Sequence, residues 1–115
     1  MTPLKDCHAW AILVHQLVTH WAERYGLKEL RRWYFEAWNE PNLEASWTGG
    51  QADDCELYRH TARAIKRVDE RLCVGGPATA QNPWITEFIG PWKIPVWLYS
   101  RQGPAVRQAR SIPVR

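Results

Sequence analysis

The sequence predicts an α/β fold in which helices alternate with the strands of a parallel sheet. Three observations carry this prediction: two segments with apolar residues at three- and four-residue spacing, an aromatic strand-like segment between them, and a short apolar run closed by Gly75, Gly76 and Pro77. Strands separated by helical patterns form βα units, whose sheets take ligands beyond the carboxyl ends of the strands.

Each element has its own justification. Over residues 8–25, Trp10, Leu13, Val14, Leu17, Val18, Trp21 and Tyr25 share one helical face, which predicts a helix with a buried stripe. Arg24 suits the negative end of the helix dipole, and Gly26 follows as a residue free to take positive φ, so the helix stops there. Residues 32–40 are rich in aromatic side chains and end before Pro41, which cannot donate to a sheet ladder; they read as a strand. Ser46, Thr48, Gly49 and Gly50 mark a polar connection. A second helix follows, with Tyr58, Thr61, Ala62, Ile65, Val68 and Leu72 inward and Arg59, Arg63, Lys66, Arg67 and Glu70 outward as a solvated face. Leu72, Cys73 and Val74 read as a buried strand ending in the Gly-Gly-Pro loop. Residues 83–89 predict a short helix with proline at its first position, and residues 94–99 a third strand. The order is thus α-β-α-β-α-β over residues 1–99, with an irregular basic tail over residues 100–115.

Composition narrows the class of molecule. The chain has 115 residues, 45% hydrophobic and 23% charged, as in one compact domain and unlike a disordered tail. No run approaches the roughly 18 apolar residues of a membrane span, and the first residues lack the basic-then-apolar pattern of a leader, so no membrane partner and a cytoplasmic location are expected. Cys7, Cys55 and Cys73 are odd in number with no close pair, which points to reduced thiols and away from a disulfide framework or a CxxC zinc site. The net charge of +3 is unevenly spread: residues 88–115 hold five basic side chains and no acid, leaving residues 1–87 at −2. A slightly acidic body does not form a nucleic-acid surface. His8, His15, His20 and His60 form no HExxH or compact ligand set, so no metal or other cofactor is expected. The sequence carries no signal for an oligomeric state.

Glu40 is the leading candidate for chemistry. It stands at the carboxyl end of the first strand between Asn39 and Pro41, where a turn alone needs no acid. A carboxyl group in an aromatic-lined cleft has its pKa raised by desolvation, which suits a general acid that protonates a leaving oxygen. Asn39 has the donors and acceptor to bind a substrate hydroxyl. On the residues alone, the alternative that Glu40 caps or pairs at a loop start stays open. Trp10 and Trp21 fit the helix stripe and are assigned to the core, whereas Trp38 and Trp47 lie outside it and are the candidate platforms for a ligand's apolar face.

The segment Trp33-Tyr34-Phe35-Glu36-Ala37-Trp38-Asn39-Glu40-Pro41-Asn42 resembles the acid/base strand of glycoside hydrolase family 39, which includes β-xylosidases and α-L-iduronidases. The resemblance extends to Glu23-Arg24-Tyr25-Gly26 before it, to Gln51 and Leu57-Tyr58 after it, and to Val74-Gly75-Gly76-Pro77-Ala78-Thr79-Ala80 with Trp84-Ile85. It runs from about residue 10 to residue 96. Asn-Glu-Pro by itself occurs across several related hydrolase families; in this order with the Gly-Gly-Pro segment it is highly specific.

The resemblance implies a (β/α)8 barrel and hydrolysis of xyloside-like carbohydrate substrates with retention of configuration. It makes Glu40 the general acid/base at the end of the fourth strand, with Asn39 on the sugar beside it and Trp47 in the following loop. A complete barrel needs roughly 250 residues, so the expected fold class is a fragment of a (β/α)8 barrel with about three βα units. The family's nucleophile is a second glutamate on the seventh strand, and no segment of this chain matches it. Retention needs two carboxyl groups roughly 5–5.5 Å apart. Along an extended strand Glu36 lies about 13 Å from Glu40; Glu87 falls in a predicted outer helix, and Asp53 and Asp54 open the second long helix, where acids serve the dipole. The chain is therefore expected to be inactive alone, the other readings being a carbohydrate-binding fragment and a decayed gene product. Departures from the family are Ser46, where an aromatic is common, Cys55, where a tyrosine is common, and everything after Val96, where the reading frame is expected to be shifted or the gene broken.

Overall fold

The structure, a computed structural model, describes residues 2–76, 78–81, 83 and 84. Its elements are α1 (Cys7–Tyr25), α2 (Leu27–Leu30), β1 (Tyr34–Glu36), α3 (Gln51–Val68) and β2 (Cys73–Gly75), an α/β arrangement with two parallel strands. The predicted helix and strand over residues 83–89 and 94–99, and the basic tail, lie outside the described residues apart from Pro83 and Trp84, which form part of a turn.

Helix α1 begins where Asp6 supplies an N-cap, its carboxylate accepting from the amides of His8 and Ala9, both at 2.9 Å. These bonds satisfy two of the amides that a helix start leaves without partners. It ends at Gly26, whose φ of +83° only glycine adopts freely and whose amide reaches the Ala22 carbonyl at 2.9 Å. The short α2, which hydrophobic periodicity does not announce, turns the chain into β1 and buries Leu30 completely.

The core lies between α1, α3 and the sheet. Val14 and Val18 from α1 meet Cys55, Tyr58, Ala62, Ala64 and Ile65 from α3, with Leu30, Leu72 and Val74 closing the cluster. The Trp10 indole donates to the Thr61 hydroxyl at 2.9 Å, and that hydroxyl donates to the Leu57 carbonyl at 2.7 Å, so the polar atoms at this helix contact are paired. Trp21, Trp33 and Phe35 pack ring on ring beside it, with centroids 5.9–6.3 Å apart, and Tyr25 leans on Trp33 at 5.4 Å.

The inward stripe of α1 is narrower than its sequence pattern. Trp10, Ala11, Val14, Val18, Trp21 and Ala22 face the core, while Leu13, Leu17 and Tyr25 are 43–56% exposed. The contact with α3 covers only part of the circumference, and the short α2 adds little more. The outward face of α3 is less solvated than expected: the Lys66 ammonium bonds the carbonyls of Glu70 (2.8 Å) and Leu72 (2.5 Å), and Arg59 pairs with Glu56. Arg31 grips Asp69 through Nε at 2.9 Å and Nη2 at 2.5 Å, tying the approach to β1 to the turn before β2. No helix among the described residues is long and apolar enough to cross a membrane.

Candidate active site

The two strands are in register, with Tyr34 opposite Cys73, Phe35 opposite Val74 and Glu36 opposite Gly75. The ladder is interrupted and then resumes in the same register, Asn39 forming a parallel bridge with Ala78. Immediately beyond, the Glu40 amide donates to the Ala78 carbonyl at 2.8 Å. Asn39 and Glu40 thus stand at the carboxyl end of β1, Asn39 exposed and Glu40 half-buried.

The backbone of Glu40 is left-handed, with φ at +51°. A side chain with a Cβ pays roughly 1–2 kcal/mol for that conformation, so its neighbours must hold it. The Leu43 amide returns to the Glu40 carbonyl at 3.1 Å, and Pro41 is buried. The Asn42 carboxamide donates to the Ala80 carbonyl at 3.2 Å and accepts from the Ala80 amide at 2.8 Å. Thr79, itself buried, donates its hydroxyl to the Pro83 carbonyl at 2.7 Å. Strain of this kind concentrates where geometry serves a ligand. The left-handed backbone of Glu40 also ends the extended geometry along which its separation from Glu36 is counted.

The two tryptophans have different surroundings. Trp38 is half-buried and donates its indole N–H to the Ser46 carbonyl at 3.1 Å. Trp47 is only 2% exposed and packs against Trp38 at 6.3 Å and 48°. Its ring therefore contacts protein, and Trp38 is the ring of the pair with open surface.

The acids at the start of α3 also separate. Asp53 caps the helix, its carboxylate accepting from the Gly50 amide at 2.8 Å. Asp54 is not the ordinary helix-start acid expected: it is 4% exposed, and burial pushes its carboxyl up to about 6. It precedes Tyr58 by four residues and so belongs to the inward face. Gly76 has a φ of +158°, and a Cβ there would come within 2.8 Å of the Tyr58 ring, so only glycine lets the loop pass over that ring. Sequence reasoning missed Asn42 and Asp54; the spacing 54-58-61-62-65 was the available signal for the second. Among the described residues no group of three or more His, Cys, Asp or Glu is placed to hold a metal ion.

The family model for glycosyl hydrolases family 39 matches residues 1–93. A β-xylosidase of Caldicellulosiruptor saccharolyticus is 48% identical over 89 residues, covering 76% of this chain and 18% of that protein. A β-xylosidase of Geobacillus stearothermophilus is 44% identical over 107 residues, covering 88% of this chain and 21% of that protein. The crystal structure of a family 39 enzyme from Xanthomonas axonopodis pv. citri superposes with a TM-score of 0.75 at 42% identity, over 81% of this chain and 19% of that one. The chain spans about a fifth of the length of the curated relatives it matches. Sequence, strand-end geometry and superposition agree, and the chain belongs to glycosyl hydrolases family 39.

Proposed function

We propose that this chain is the acid/base part of a retaining glycoside hydrolase site, built on about three βα units of a (β/α)8 barrel. The observation that carries the reading is Glu40 at the carboxyl end of a parallel strand, its backbone held left-handed by residues 78–80. Glu40 first protonates the leaving glycosidic oxygen and then, as carboxylate, takes a proton from the water that releases the sugar. Asn39, exposed beside it, binds a ring hydroxyl, and Trp38 offers an apolar face to the sugar with Trp47 as its buried support. The substrate class is a β-xyloside, in line with the names of the two curated relatives.

Retention also requires a nucleophilic carboxylate roughly 5–5.5 Å from the acid/base. No segment of this sequence matches the family's nucleophile strand, so the chain is inactive by itself, and activity requires a second polypeptide or further chain that brings that glutamate. The test is hydrolysis of nitrophenyl β-xyloside by the purified 115-residue chain. No turnover is expected; turnover abolished by Glu40→Gln would refute the inactivity while supporting the role of Glu40.

A further inference from the structure

Asp54 has an environment that the acid/base reading does not use. Its amide makes an ordinary helix-start bond to the Gly50 carbonyl at 3.2 Å, but its carboxylate has no hydrogen bond or ion pair with a described residue. With Ala37, Trp38, Tyr58, Gly75, Gly76 and Ala78 it lines a cavity of about 10 Å³ at the strand ends. That volume admits one water molecule. Burying a carboxyl group with no partner is costly, and the lining supplies few donors: the Trp38 indole N–H is committed to Ser46, and the Tyr58 hydroxyl points at the Val74 carbonyl at 3.4 Å.

We infer that Asp54 holds one water in this cavity and through it positions Gly75, Gly76 and Ala78 at the end of β2, the last of which accepts from the Glu40 amide. The water donates to the carboxyl group and meets the polar backbone of Gly75, Gly76 or Ala78, replacing the solvation that burial removes. The functional weight of this role rests on the assignment of Glu40; the water itself does not.

Ionisation of Asp54 reports on the same link. Among the described residues lining the cavity, Tyr58 is the other titratable side chain, and burial pushes its phenol up to about 12, so it stays neutral. Of the described residues, the end of β1 contributes Ala37 and Trp38, and the end of β2 contributes Gly75, Gly76 and Ala78; none of these carries charge. Desolvation alone accounts for the raised pKa of Asp54.

The test has two arms on the 115-residue chain. A crystal structure at a resolution that shows ordered solvent is expected to place one water within hydrogen-bonding distance of the Asp54 carboxyl group and of the backbone of Gly75, Gly76 or Ala78. A dry cavity, or Asp54 bonded directly to a protein donor, overturns the inference. In amide spectra recorded against pH, Gly76 and Ala78 are expected to shift together with a midpoint near 6, and Asp54→Asn to abolish that shift. Shifts that persist in Asp54→Asn overturn the link to Gly76 and Ala78, and the crystallographic arm stands if that variant does not fold. Failure to hydrolyse a xyloside leaves both arms readable, and absence of the water leaves the role of Glu40 intact.

Discussion

Asn42 and Ala80 are joined by two reciprocal hydrogen bonds, the side chain of one clasping the backbone of the other at 3.2 and 2.8 Å. The loop after β1 is thereby fixed to the loop after β2, two residues beyond the strained Glu40. Asn42→Ala removes both bonds and leaves an amide and a carbonyl to find water. A loss of about 1–2 kcal/mol is expected from two part-buried bonds, measured as a lower denaturant midpoint at unchanged slope.

Gly76→Ala is expected to destabilise by about 1–3 kcal/mol, the usual range for overpacking, because the added carbon meets the Tyr58 ring at 2.8 and 3.0 Å. The cost divides into ring clash and backbone conformation. In a Tyr58→Ala background the clash disappears, so the penalty for Gly76→Ala should shrink there. A double-mutant cycle by thermal or chemical unfolding checks this; an unchanged penalty would trace the whole effect to φ.

The stability of the chain should fall on the alkaline side of Asp54. Its folded pKa, about 6, lies above the ordinary 3.8, so the folded state holds the proton more tightly than the unfolded one. The favourable contribution is complete below the ordinary value and is lost as pH rises through 6. The shift corresponds to roughly 3 kcal/mol. Asp54→Asn should therefore raise the melting temperature at pH 8 and change it little at pH 4. Asp69 runs the other way: bonds from the Arg71 amide and from Arg31 lower its pKa, so its contribution is present above the usual carboxylate range and fades on acidification.

Trp38 and Trp47 should separate binding from stability. Trp47→Ala empties a fully buried site and is expected to cost about 3–5 kcal/mol. Trp38→Ala should cost less stability while weakening calorimetric binding of xylose oligomers. Binding that survives Glu40→Ala but is lost with Trp38→Ala would favour a purely carbohydrate-binding role.

The regular elements were legible because local chemistry and packing agree in them. Residues 8–25 have one apolar face and a glycine stop, and α1 spans Cys7–Tyr25. Tyr58, Thr61, Ala62 and Ile65 share the buried face of α3 as their spacing requires. Features that depend on a partner elsewhere in the chain were not legible. Leu13 and Leu17 carry the pattern of a buried stripe, yet burial also needs an element to cover them. Trp47 looks like a platform in sequence, and only tertiary packing places it beneath Trp38. Asp54 resembles any helix-start acid until Tyr58, one turn later, shows which way that face points.

The pairing of the two strands keeps a constant separation, Tyr34 with Cys73 and Asn39 with Ala78 alike. The address of Glu40 is therefore counted along the ladder from β1, independently of how long the path through α3 is. Residues added at exposed positions 44 and 45, beyond the Leu43 amide that holds Glu40, lengthen a detour and leave the acid opposite the same carbonyl. One residue added between Glu36 and Asn39 moves the acid along the ladder by a full step. Drift in chain length is thus expected to be tolerated in the crossover and excluded from the few residues that measure out the strand end.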